Sequence, residues 1–88
     1  MAVKKYRKEP VVIDAVQFIG VNATSIINWI LANGGTARYH DEGLDAFLAI
    51  DTLEGTMQAR VDDWIIKGVQ GEFYPCKPEI FDATYKEI

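Results

Sequence analysis

The stretch Met57-Gln-Ala-Arg-Val-Asp-Asp-Trp-Ile-Ile-Lys-Gly-Val-Gln-Gly-Glu-Phe-Tyr-Pro-Cys-Lys-Pro78 constrains this chain more than any other. Trp64-Ile-Ile-Lys67 is an aromatic and β-branched run between Asp62-Asp63 and Gly68, which predicts a strand. Val69-Gln-Gly-Glu72 predicts a turn, and Phe73-Tyr74 a second strand that ends at Pro75. Upstream, Thr56, Gln58 and Arg60 alternate with Met57, Ala59 and Val61, a half-buried strand by period. Three short strands with two tight reversals in so few residues pair as antiparallel neighbours.

The remaining elements follow in chain order. Pro10 to Phe18 is a β-branched run with apolar residues on both faces, which predicts a central strand covered on both sides. Asp14 interrupts one face and belongs near a strand end or sheet margin, because an unpartnered buried carboxylate is costly. Asn22 and Thr24 are candidate N-caps of a helix reaching about Asn33. Ala23, Ile26, Ile27, Ile30 and Leu31 form its apolar stripe, with Trp29 toward one edge. Asn33-Gly34-Gly35 stops it.

Thr36 to His40 predicts a short strand and Asp41-Glu42-Gly43 a turn. Leu44, Ala46, Leu48 and Ile50 alternate with Asp45, Phe47, Ala49 and Asp51, which makes a further strand and leaves Phe47 on its outer side. Leu53-Glu-Gly-Thr56 is a hairpin signal. Pro78 suits the first position of a short helix to about Ala83, with Glu79 near its positive end and Ile80, Phe81 and Tyr85 as core contacts. Thr84 to Ile88 predicts a last extended segment.

The sum is an α+β fold: a small, mainly antiparallel sheet of about five strands packed on one amphipathic helix, with a short C-terminal helical turn. At 88 residues with 49% hydrophobic content, the expectation is a single domain, residues 1–88, with 1–9 as a basic lead-in.

Charge narrows the partners. Lys4, Lys5, Arg7 and Lys8 meet only Glu9 in the lead-in, so the rest of the chain holds five basic against twelve acidic residues. An acidic body argues against duplex nucleic acid, which needs a basic face to displace counterions. The basic cluster suits phosphate or an acidic partner, or simply lies against the acidic body. No apolar run reaches the roughly 18–20 residues of a membrane span. One cysteine excludes an intrachain disulfide and a multi-cysteine zinc site. A cytoplasmic protein without cofactor is the simplest reading.

Candidate chemistry is sparse. Cys76 as a nucleophile would need His40, the only imidazole, as its base; as a small buried hydrophobe it needs nothing. His40, Asp41 and Glu42 are adjacent, and neighbours on a strand end point apart, so they suit a solvated turn better than a metal site. Asp62 and Asp63 are paired carboxylates or local turn acceptors. Arg60, Trp64, Lys67 and Tyr74 form the best ligand-binding set: two cations for an anionic group and two aromatic faces for stacking. Trp64 and Ile66 share one strand face, Ile65 and Lys67 the other, so at most one of these pairs faces solvent.

Two blocks carry a family resemblance. They are Lys5-Tyr-Arg-Lys-Glu-Pro-Val-Val-Ile-Asp-Ala-Val-Gln-Phe18 and the segment from Leu53 through Asp63-Trp-Ile-Ile-Lys-Gly-Val-Gln-Gly-Glu-Phe-Tyr-Pro-Cys-Lys-Pro-Glu-Ile-Phe81. Together they resemble a family of small proteins encoded by tailed bacteriophages and prophages. Many members read Pro-Gly-Asp-Trp where this chain has Val61-Asp62-Asp63-Trp64, so the turn is made here without its usual residues. The resemblance implies a phage or prophage origin and the cytoplasm of an infected bacterium. It brings no catalytic residues. The expected function is that of a small accessory protein that is not an enzyme and binds a host or phage protein. The alternative is a binder of a small anionic ligand such as a nucleotide signal. Sheet edges also make a homodimer accessible.

Overall fold

The computed structural model describes residues 2–7, 9–41, 43 and 45–88. The order of elements is β1 (Asp14–Gln17), α1 (Ala23–Ala32), β2 (Ala37–His40), β3 (Phe47–Thr52), β4 (Gly55–Ala59), β5 (Trp64–Lys67), β6 (Phe73–Cys76) and α2 (Pro78–Thr84). The fold is α+β, as expected, with one difference of architecture. The strands form two three-stranded antiparallel sheets, β1-β5-β6 and β2-β3-β4, instead of about five strands in one. The reversal after Ala59 explains the split: the chain leaves the second sheet there and returns as β5 beside β1.

Register decides what each face of the first sheet does. Ala15, Ile66 and Tyr74 lie opposite one another, as do Gln17, Trp64 and Cys76. Directly opposed residues share a face. The other face carries Asp14, Val16, Ile65, Lys67, Phe73 and Pro75. Val16, Ile65 and Phe73 enter the core with Ile26 and Ile30 of α1, Leu48 and Ile50 of β3, and Ala59 of β4. Ile66 is equally buried but outside that cluster, on the face turned toward α2. One face of the sheet packs on the core and the other carries α2 through the Trp64–Phe81 contact, so apolar residues serve both faces. Yet β1 is an outer strand instead of a central one, and Val11 and Val12 ahead of it are exposed. Asp14 lies at its start, exposed.

The helix begins as its sequence indicates. Asn22 is its N-cap, but its side chain turns back toward the preceding strand. There Oδ1 accepts from the Ile19 N–H at 2.9 Å and Nδ2 donates to the Gln17 carbonyl at 2.8 Å. The apolar stripe lies where predicted except at its last residue, with Ile27 also packed against the core. Ala23, Ile26 and Ile30 are buried and Trp29 packs edge-on against Phe73 at 5.1 Å, whereas Leu31 is exposed. Gly35 then lets the chain pass close to the core: a Cβ there would come within 2.8 Å of both Ile30 and Phe73.

Three further expectations change. β4 is exposed at every residue but Ala59, because it is the outer strand of its sheet, so it is not half-buried. β6 continues through Pro75 to Cys76, which an outer strand tolerates because one side of its backbone has no partner strand. Ile80 is exposed, while Phe81 makes the contact to the sheet, stacked on Trp64 at 4.0 Å. Pro78 does open α2. β3 is described from Phe47; the predicted contribution of Leu44 lies outside the described residues.

Candidate functional site

The reversal between β4 and β5 ties the two sheets together. The Asp63 N–H donates to the Arg60 carbonyl at 3.0 Å, closing a four-residue turn. Asp62, its third residue, takes φ of 82°, the left-handed conformation that glycine adopts most easily. The turn is therefore made with an aspartate in a backbone state that glycine usually takes. Asp63 is buried. Its Oδ2 accepts the Arg60 N–H at 2.9 Å and Lys77 Nζ at 3.2 Å. The Asp62-Asp63 pair thus does local structural work, with Asp63 fixing the entry to α2 through Lys77.

The four residues expected to form a ligand site fall on three surfaces. Arg60 projects over the outer side of β2-β3-β4. Its guanidinium carbon lies 5.1 Å from the Phe47 ring centroid, and it is paired with Asp45 and hydrogen-bonded to Gln58. Lys67 faces the α1 side, where Nζ donates to Asn33 Oδ1 at 3.0 Å. Trp64 and Tyr74 share the α2 side. A strand's side chains alternate between faces, so Lys67 and Trp64, three residues apart, cannot converge.

Two constellations result. The first is a cation–aromatic patch on the outer side of the second sheet. His40 stacks on Phe47 with centroids 4.8 Å apart, and Arg60 covers the same ring from beyond β4. Cross-strand pairing of His40 with Phe47 sets this contact. Phe47 was legible in sequence as an outer aromatic; its company was not, because His40 and Arg60 are twenty residues apart. The neighbouring Asp51 accepts from the Thr36 and Thr56 hydroxyls, which together with Arg38 hold its carboxyl below the usual range.

The second is an aromatic groove on the α2 face. Trp64, Phe81 and Tyr85 form a ladder, the last two with centroids 5.0 Å apart. They floor an open groove of about 510 Å³ walled by Val12, Ile13 and Ile88. Beside it, burial, then the hydrogen bond with Tyr85 and nearby Glu72, push the Tyr74 phenol up to about 12. Tyr74 also borders a pocket of about 310 Å³ shared with Leu53, Met57, Glu54 and Glu72.

A comparison with protein-family models, curated proteins and solved structures found no match.

The remaining candidates can be placed from the geometry. Cys76 is half-buried, with Sγ 3.6 Å from the Lys77 carbonyl. Burial, Asp63 and Glu79 push its thiol up, the opposite of what a nucleophile needs. His40 belongs to the second sheet and is committed to Phe47. Among the described residues no three His, Cys, Asp or Glu side chains converge for a metal. Glu42, one of the three residues weighed as a metal set, lies outside the described residues. No helix among the described residues is long and apolar enough to cross a membrane.

Proposed function

We propose that this chain is a small phage- or prophage-encoded accessory protein that works in the bacterial cytoplasm by binding a host or phage protein. The phage setting rests on the resemblance of the two end blocks. The binding reading is supported most by one observation: the cation–aromatic patch of Phe47, Arg60 and His40 lies beside β4, an outer strand exposed at four of its five residues. An outer strand offers backbone groups for an added strand. Arg and aromatic side chains are the types that anchor protein interfaces.

The alternative, a small anionic ligand, has less support. Arg60 and Arg38 are already paired with Asp45 and Asp51. The pocket beside Tyr74 is bordered by two carboxylates, Glu54 and Glu72, which repel an anion.

Affinity capture from infected bacteria tests the proposal with the wild-type chain and the variants Phe47→Ala and Arg60→Ala. A partner retained by wild type and lost with both variants is the expected result. No specific partner, or one retained equally by all three, overturns it. A nucleotide that raises Tm of the wild-type chain by several degrees would favour the alternative.

A further inference from the structure

We infer that the groove on the α2 face receives residues 3–9 of a second copy of this chain, so that two copies exchange N-terminal arms about a two-fold axis. This contact is separate from the Phe47–Arg60 surface, and from pairing of sheet edges.

The arm is built to be covered. Its described residues are exposed throughout, Val3 at 82% and Tyr6 at 88%. No hydrogen bond joins residues 2–7 to another described residue. The molecule measures 49 Å by 32 by 26 Å and its radius of gyration is 14.5 Å. A compact chain of this length would have about 12 Å. Ordering an arm costs conformational entropy that no hydrogen bond among the described residues offsets.

The groove supplies matching chemistry. Its floor is the Trp64–Phe81–Tyr85 ladder, and a Tyr6 ring can extend that stack. Its walls include exposed Val12 and Ile88. Charge is complementary: the arm carries Lys4, Lys5 and Arg7, whereas residues 78–88 carry Glu79, Asp82 and Glu87 against Lys86 alone, with Asp14 on the opposite wall.

The root of the arm selects a second copy over the chain's own groove. Val11 and Val12, where the arm joins the body, themselves line the groove. Folding back would demand a reversal at Glu9-Pro10-Val11, and Pro10 holds Glu9 extended. In two copies with grooves face to face, each arm starts beside the partner's groove. Seven extended residues reach about 23 Å. Reciprocal exchange forms every contact twice, which brings a short arm toward the roughly 1,200 Å² of total burial at which interfaces become specific.

Sedimentation equilibrium decides it, using the full chain, a variant lacking residues 2–9, and the groove-wall variant Val12→Lys, which opposes the basic arm. The full chain should dimerise, with association weakened at least tenfold by 0.5 M salt. Both variants should be monomers at the same concentration, while retaining cooperative melting and the wild-type circular dichroism of the body. A full chain that stays monomeric at a few hundred micromolar overturns the inference, as does a dimer that survives loss of the arm. Neither result bears on partner capture through Phe47 and Arg60, so the two proposals fail independently.

Discussion

Lys77 Nζ sits 3.2 Å from Asp63 Oδ2, joining the first residue outside α2 to an aspartate whose side chain is only 5% exposed. The same carboxylate holds the Arg60 N–H of the preceding turn. The two contacts are unequal. Lys77 is 56% exposed, so the ion pair itself contributes about 1 kcal/mol or less. The Arg60 N–H is partly buried, and leaving such a donor unmet costs about 1–3 kcal/mol. Asp63→Ala should therefore lower Tm much more than Lys77→Met. Asp63→Asn, which keeps an acceptor, should fall between them. Thermal unfolding by circular dichroism orders the three; equal losses from Asp63→Ala and Lys77→Met would refute the assignment.

Asp62 tests the turn. At φ of 82° it holds a conformation that costs a side-chain-bearing residue of order 1 kcal/mol, less for aspartate than for most. Asp62→Gly should raise stability by about 0.5 kcal/mol, since relief of strain outweighs the greater freedom glycine gives the unfolded chain. Asp62→Val should lower it by more than 1 kcal/mol. Urea unfolding of both variants gives the sign.

Gly35 is needed for closeness, because its φ is ordinary. A Cβ would meet Ile30 Cγ2 and Phe73 Cδ2 at 2.8 Å each, inside the packed core. Gly35→Ala should cost about 1–3 kcal/mol by overpacking. Gly68→Ala makes a useful contrast. Its nearest obstacle is the Glu72 carboxylate, the far end of a flexible side chain, so the loss should be smaller. Denaturant midpoints compare the two directly.

Tyr74 and Cys76 give the alkaline signature. Burial and the Tyr85 hydrogen bond favour the neutral Tyr74 phenol, raising it from 10.0 to about 12. Between those values the native state binds more protons than the unfolded one. The contribution of Tyr74 to stability is therefore complete below pH 10 and is lost as pH climbs toward 12. Absorbance titration of the four tyrosines should show a delayed phase that Tyr74→Phe removes. Native Cys76, whose thiol is also pushed up, should react with thiol reagents more slowly at pH 8 than after unfolding.

Much of the local structure was legible because it depends on neighbours in sequence. Asn22 before Ala23-Thr-Ser-Ile, Asn33-Gly34 after the helix and Pro78 before Glu79 mark helix ends through backbone chemistry alone. The strand from Trp64 to Lys67 was equally plain. Its alternation showed in advance that Trp64 and Lys67 stand on opposite faces.

What the tertiary structure decided is which strand lies beside which. Periodicity tells a strand that it has an apolar face, and it cannot name the neighbour that covers it. For this reason β1 looked central and is an outer strand, and one sheet became two. The same holds for the sites. Arg60 was expected beside Trp64, four residues on, and meets Phe47 instead, because the chain reverses at Asp62 and passes to the other sheet. Sequence determined which elements form, the ends of both helices, and the acidic body with its basic arm. Only long-range pairing determined that Trp64 meets Phe81 across a sheet face, and that the arm leaves the body beside the groove they form.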